Sequence, residues 1–273
     1  MSAGAEATRP GGAVSEGLDA GHVVFERVAE AYDAARPHYP EALYLALEEL
    51  SGVRLAGARV IDVGAGTGIS TRGLLDRGAR VVAVDRGGRM LGVLCSRTEC
   101  AALLADGNEL PFRDGAADLV TYAQAWHWLD PALSVAEAVR VLRPGGAVAG
   151  WWNTVDAGRA DWLAAYQVRL AESCDGYVGP ALPGWSMPPI AETMELAGLT
   201  VARTWVGWTR SVRLDDFLTD LRSHSYVARL DERDAEELVA RERAELGRVF
   251  PDGRLTVPMR VYLATGRAEA PVV

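Results

Sequence analysis

The feature that most constrains the fold is a regular alternation of short apolar segments with amphipathic ones between residues 58 and 153. The apolar segments lack the polar alternation of a half-exposed strand, which is typical of strands buried on both faces of a parallel sheet. Strands that alternate with helices over this length predict a doubly wound α/β sheet. The segments predicted as strands are 58–64, 79–85, 102–106, 117–124 and 147–153.

The rhythm of the sequence changes after residue 154. Two later segments, 200–208 and 259–267, favour strands that would extend the sheet to seven. The helical segments between them do not continue the regular repeat, so we expect them to form a cap over the carboxyl edge of the sheet. The predicted fold is therefore a seven-stranded, mostly parallel, Rossmann-like sheet with a helical cap.

We expect one domain with five successive parts along the chain. They are a flexible tail over 1–21, N-terminal lid helices over 22–50, a ligand-binding core over 51–154, a first part of the cap over 155–198, and the late strands with a helical cap insertion over 199–273.

Composition excludes several classes of function. The net charge of −9 argues against nucleic acid or an anionic membrane surface as the main partner, because both attract clustered positive charge. All 28 cationic side chains are arginine, which excludes lysine-linked cofactor chemistry. Three cysteines and four scattered histidines show no metal-ligand spacing. The first residues lack the apolar stretch of a secretory signal, so we expect a cytoplasmic protein.

The first strand ends in a glycine-rich loop that suits a ligand. Glycines at 64, 66 and 68 would let a ligand approach the backbone, although a tight turn without a ligand remains the alternative. The dinucleotide fingerprint would place its third glycine at position 69, where the sequence has Ile69. The second strand ends at Asp85, about 20 residues later, where a carboxylate can bind a ribose diol. Together these residues predict a nucleoside ligand, with a helix-capping role as the alternative for Asp85.

The third and fourth strands end in residues of the same kind. Asp106, with apolar neighbours, can accept a hydrogen bond from an exocyclic adenine amine. The fourth strand is followed by a Gln-Ala-Trp-His-Trp segment that places His127 near the glycine loop. His127 could deprotonate a hydroxyl or amine nucleophile, or it could only fix the loop by hydrogen bonding.

The order of these motifs resembles that of class I methyltransferases that depend on S-adenosyl-L-methionine (SAM). The resemblance rests on VIDVGAGTG, VVAVD, ADGNELPF, DLVTYAQAWHW and VLRPGGAVAGWW in this order, and it covers about residues 22–267. The segments FERVAEAYDAARPHYP, AQAWHWLD and LRSHSYVARL are similar to the type 11 and trans-aconitate methyltransferase-like branch, whose substrates are small molecules.

The resemblance implies a role for several residues. Those expected to contact or organise the cofactor are Tyr32, Arg36, Asp62, Gly64, Gly66, Asp85, Met90, Asp106, Gly107, Ala123 and Gln124. Asp85 would hold the ribose hydroxyls, and Asp106 with the Gly107 amide would read the adenine. Tyr32 and Arg36 would close over the cofactor, with Arg36 pairing the methionine carboxylate.

The remaining residues are assigned in the same way. Gly64 and Gly66 would line the methionine portion, and Asp62 would organise their loop. Ala123 and Gln124 would lie along the methionine tail, and Met90 would pack on the adenine. His127 is the candidate catalytic residue.

The predicted function is SAM-dependent methyl transfer to a small molecule, with oxygen of an organic acid or of a hydroxylated metabolite as the favoured acceptor. Two alternatives stay open. One is a protein of the same fold that has been turned to non-methylating chemistry or to ligand binding. The other is an NAD-dependent oxidoreductase, which Ile69 disfavours. No metal is expected, and the sequence does not predict an oligomeric state.

Overall fold

The computed structural model describes residues 36–224 and 226–268. Helices and strands alternate along most of this range. In chain order they are α1 (Glu41–Ser51), β1 (Arg59–Val63), α2 (Ile69–Leu75), β2 (Arg80–Asp85), α3 (Gly88–Arg97), β3 (Ala101–Leu104), β4 (Ala117–Ala123), α4 (Pro131–Val141), β5 (Leu142–Val155), α5 (Asp161–Ser173), α6 (Ile190–Leu196), β6 (Thr200–Arg213), α7 (Leu214–Arg222), α8 (Glu232–Val249) and β7 (Arg254–Arg267). Short 3₁₀ turns lie at Trp126–Trp128 and Ala157–Arg159.

The seven strands form one sheet in the order β3-β2-β1-β4-β5-β7-β6. The pairs among β1 to β5 are parallel, whereas β7 pairs antiparallel with both β5 and β6. The predicted seven-stranded, mostly parallel α/β sheet is confirmed. Because parallel strands end at the same edge, the sheet brings the ends of β1, β2 and β4 together, with the order reversing next to β1.

Strand β5 differs from its prediction because it begins earlier. The Arg-Pro-Gly-Gly segment, which the sequence predicts as a turn before the strand, lies inside the strand itself. Ala117 pairs with Leu142, but Leu119 pairs with Ala147, so the extra residues form a bulge between these pairs. Gly145 takes a φ of 72° there, which glycine adopts without strain.

Helix α1 is packed on the sheet. Its buried face carries Leu43, Tyr44 and Leu47, which share an apolar cluster with Trp151 of β5 and Leu263 of β7. Residues 41–51 are therefore held in the core and do not form a separate lid. Residues 22–35 of the predicted lid, with Tyr32, lie outside the described residues.

A second apolar cluster lies at the end of the sheet where β6 finishes and β7 begins. Helices α5, α7 and α8 contribute Leu163, Phe217 and Leu246, which pack with Leu255 and Val257 of β7. Since β6 runs parallel to β1, this cluster stands at the carboxyl edge of the sheet, on the side where the glycine loop lies. No helix of the described residues is both long and apolar enough to cross a membrane.

Candidate functional site

The glycine loop after β1 has a backbone that requires glycine. Gly64, Gly66 and Gly68 have φ values of 67°, 57° and 84°, in the left-handed region that other residues rarely adopt. The amide of Gly64 donates to the Val84 carbonyl at 2.8 Å, which ties the loop to the end of β2. A Cβ on Gly64 would overlap the Cβ of Ala125, so the loop lies directly against the segment that follows β4.

Asp85 links this loop to the turn after β2. Its Oδ2 accepts from the Gly66 amide at 2.8 Å, and its Oδ1 accepts from the Gly87 amide at 2.7 Å. The second bond is of the kind expected if Asp85 caps a helix, because Gly87 stands at the start of α3. A carboxylate has about four acceptor positions, so these two bonds leave the ribose role compatible with the geometry.

Asp62 lies beneath the loop and is completely buried. Its two oxygens accept from the hydroxyls of Thr71 and Thr121, each at 2.7 Å. Burial raises the pKa of this carboxyl to about 6, while the two threonine hydroxyls act in the opposite direction. Asp62 thus joins β1 to α2 and β4 from below, and it does not line the cavity above.

A cavity of about 300 Å³ opens above the glycine loop. This volume is at the lower end of the range for small-molecule sites. It gathers most of the residues predicted for the cofactor and the acceptor: Arg36, Gly64, Gly66, Asp85, Met90, Gly107, Ala123, Gln124 and His127. Asp106 is exposed and outside the lining, although Ala105 and Gly107 on either side of it belong to the lining. Its Oδ1 accepts from the Asn108 amide at 2.9 Å.

Thr67 is a lining residue that the sequence analysis does not identify. It is 1% exposed, and its hydroxyl has no hydrogen-bond partner among the described residues. A buried hydroxyl without a partner is costly, and a polar atom of a bound ligand would remove that cost. The signal was present in the sequence, since Thr67 lies between two glycines of the loop, but the spacing rules weigh only the glycines.

These residues fit SAM. The glycine loop leaves room for a ligand against the backbone, Thr67 offers a hydroxyl without a partner, and Asp85 presents a carboxylate at the end of β2. None of these features depends on a metal. Within residues 36–224 and 226–268, no group of three or more histidine, cysteine, aspartate or glutamate side chains is arranged to hold one.

The segment after β4 forms the opposite wall of the cavity. Gln124 has a φ of 54°, a left-handed backbone that is uncommon for a residue other than glycine. Its side-chain amide lies 3.5 Å from the hydroxyl of Tyr39, which also lines the cavity. Strained backbone of this kind is concentrated at functional sites, which supports a role for Gln124 toward a ligand.

His127 lines the same wall and is exposed to the cavity. Its Nδ1 accepts a hydrogen bond from the indole Nε1 of Trp152 at 3.4 Å, and its ring lies 4.7 Å from that of Trp128. Neighbouring protein atoms partly desolvate the ring, and this desolvation lowers the pKa of His127.

Arg36 connects the cavity to the cap. It lines the cavity, and its Nε lies 3.7 Å from Oδ1 of Asp220 on α7. Its Nη2 lies 3.2 Å from Nδ1 of His224, and Arg210 binds the other oxygen of Asp220 at 2.7 Å. In this structure Arg36 is therefore anchored to the cap, whereas the sequence predicts that it pairs with a ligand carboxylate.

Comparisons with known proteins agree with this geometry. A family model described as a methyltransferase domain matches residues 61–150. An uncharacterized methyltransferase of Mycobacterium tuberculosis strain H37Rv is 45% identical over 206 residues, which cover 74% of this chain and 76% of the relative. A malonyl-[acyl-carrier protein] O-methyltransferase of Halorhodospira halophila is 38% identical over 131 residues, which cover 45% of this chain and 44% of that protein.

A solved structure extends the likeness to nearly the whole fold. A protein of Anaeromyxobacter dehalogenans, assigned as a type II methyltransferase, superposes with a TM-score of 0.64 and is 25% identical. The match covers 86% of this chain and 99% of the other.

Proposed function

This chain belongs to the methyltransferase family, and we propose that it transfers a methyl group from SAM to a small molecule. The favoured acceptor is an oxygen of an organic acid or of a hydroxylated metabolite. The observation that carries the proposal is the cavity that unites the glycine loop, Asp85 and the partnerless Thr67 hydroxyl at the carboxyl edge of the sheet. The matched O-methyltransferase supports transfer to oxygen, although the overlap covers less than half of either chain.

The protein's share of the chemistry is binding and positioning. SAM supplies a methyl group that is already activated by its bond to a sulfonium, so the chain needs no group to activate it. Asp85 would hold the ribose, Met90 and Gly107 would flank the adenine, and Thr67 with the glycine loop would hold the polar end of the cofactor. Each of these residues is placed by a strand end or by the helix that follows one.

The acceptor side of the cavity is formed by Arg36, Tyr39, His127 and Trp128. Aromatic rings there exclude water and suit a positively charged sulfonium. Bringing the acceptor oxygen in line with the methyl group turns a bimolecular displacement into an intramolecular one, which is the main source of the rate increase.

Calorimetry with SAM, S-adenosylhomocysteine and NAD tests cofactor choice. We expect SAM and S-adenosylhomocysteine to bind in the micromolar range and NAD to give no heat. A mass-spectrometric screen for products 14 Da heavier, over acids, phenols and amines, then identifies the acceptor. Tight NAD binding without SAM binding would refute the proposal, and SAM binding without any release of S-adenosylhomocysteine would favour a non-methylating protein of the same fold.

A further inference from the structure

The environment of His127 fixes which of its nitrogens carries the proton. Its Nδ1 accepts from the indole N–H of Trp152 at 3.4 Å. An indole nitrogen is a donor only, so Nδ1 must be unprotonated when this bond is made. Trp152 lies in β5 and is 7% exposed within the main apolar cluster, so its N–H has a fixed direction.

The proton of the neutral ring is therefore on Nε2. A neutral imidazole has one N–H, and Nδ1 is already an acceptor. Nδ1 faces the buried Trp152, while the ring itself lines the cavity, so Nε2 is the nitrogen that can reach a ligand. Desolvation favours the neutral ring, in agreement with a pKa well below that of free histidine.

We propose that Trp152 is a positioning residue that holds His127 in its Nε2–H form, and that His127 donates this hydrogen bond to the methyl acceptor instead of taking a proton from it. This inference rests on the proposed function and deepens it. A base role would require Nε2 to lose its proton and Nδ1 to gain one, and that would break the bond to Trp152. The structure favours an acceptor that is nucleophilic without the help of a base.

Of the two favoured acceptor classes, a carboxylate meets this condition. It is ionised at neutral pH, whereas a phenol or an aliphatic hydroxyl must lose a proton. The bond from a carboxylate oxygen to the methyl carbon forms while the carbon–sulfur bond breaks. The electron pair of the broken bond stays on sulfur, and no proton moves. The products are a methyl ester and S-adenosylhomocysteine, and the hydrogen bond from His127 orients the carboxylate.

The tautomer can be measured without any turnover. Long-range ¹H–¹⁵N correlation spectra of the labelled full chain at pH 7 report the state of each of its four histidines, and His127 is assigned from the spectrum of His127→Gln. We expect a protonated Nε2 and an unprotonated Nδ1. The Trp152→Phe variant keeps an aromatic ring but lacks the N–H, so His127 should become a mixture of both forms. A wild-type Nδ1–H form, an imidazolium, or an unchanged spectrum in Trp152→Phe would overturn the proposal.

Kinetics of His127 variants separate the two roles by magnitude. Glutamine can donate a hydrogen bond but cannot act as a base, so His127→Gln should keep turnover within about tenfold of wild type, as expected when one hydrogen bond is altered. His127→Ala should lose more than His127→Gln, mainly through a higher KM for the acceptor. A loss of about 10²–10⁴-fold in kcat for both variants would indicate a general base and refute the proposal.

Matched acceptors test the class of substrate. Hexanoate is compared with hexanol, and benzoate with benzyl alcohol, in the presence of SAM. Methyl esters from the acids alone support the inference, whereas methyl ethers, or no product from the acids, overturn the carboxylate assignment. Calorimetry with S-adenosylhomocysteine keeps the two proposals apart, because a wild-type chain that does not bind it contradicts the proposed function whatever the state of His127.

Discussion

The buried carboxyl of Asp62 should make the stability of this protein depend on pH in a direction opposite to that of most aspartates. Its pKa is raised from 3.8 to about 6 in the folded chain, chiefly by burial. Stability from this group is therefore fully present below pH 3.8 and is lost as the pH rises through about 6. A shift of this size corresponds to about 3 kcal/mol of unfolding free energy at neutral pH.

The Asp62→Asn variant should remove this loss. Asparagine keeps an oxygen that can accept from Thr71 or Thr121, but it does not ionise. We expect the stability of the variant relative to wild type to rise by about 1.5 kcal/mol between pH 5 and pH 7.5, since wild type loses that part of its stability over this range. Urea unfolding of both proteins at each pH measures the difference, and the titrations they share cancel.

Asp118 provides the matched control because its pKa is shifted in the opposite direction. Hydrogen bonds from Arg59 and Arg143 hold the pKa of Asp118 well below its usual range. Its stabilising contribution is complete above pH 5 and disappears only in stronger acid. Asp118→Asn should therefore be less stable than wild type by a constant amount between pH 5 and pH 7.5. A constant difference for Asp62→Asn as well would refute the reasoning about Asp62.

Three further substitutions probe the cavity itself. Gly64→Ala should abolish binding of S-adenosylhomocysteine in calorimetry and destabilise the fold by about 1–3 kcal/mol, because its Cβ would overlap that of Ala125. Gly57→Ala, also at a positive φ but with open space around it, shows the effect of backbone strain alone. An equal loss of stability in Gly57→Ala and Gly64→Ala would show that the clash with Ala125 is not the cause. Asp85→Ala should weaken binding of the same ligand at least about tenfold. Unchanged affinity would mean that Asp85 only holds the loop through its bonds to the Gly66 and Gly87 amides and does not bind the ribose. Gln124→Gly should raise the unfolding free energy by about 1 kcal/mol through relief of strain, yet weaken ligand binding, whereas a variant that loses stability would contradict the strain argument.

The sequence predicts the part of the fold in which local pattern and burial agree. Apolar runs identify β1, β2 and β4, and residues at or just after the ends of these strands, Gly64, Asp85 and Gln124, line the cavity. The predicted start of β5 was wrong because Arg143 to Gly146 have the composition of a turn. Only the pairing with β4 makes that segment a bulge within a strand. Local propensity cannot show such pairing.

Contacts between distant parts of the chain limit the prediction of the site in the same way. Arg36 and Asp220 are separated by 184 positions, and no spacing rule joins them. Likewise, the hydrogen bond that fixes His127 comes from Trp152 on the neighbouring strand, whose aromatic character alone predicts only burial. Residue roles that depend on one strand can be predicted, whereas those that depend on a partner across the fold require the structure.

The position of β7 has a consequence for how the chain is made. It is the last strand of the sheet in sequence, yet it lies between β5 and β6. Fourteen of its residues pair with β6, and some of these also pair with β5. While the chain emerges from the ribosome, β5 and β6 are therefore both present before the strand that joins them, and their open edges could pair with other nascent chains. Completion of the sheet waits for β7, so we expect the emergence of β7, rather than the earlier emergence of the glycine loop, to time the appearance of a protein able to bind a ligand.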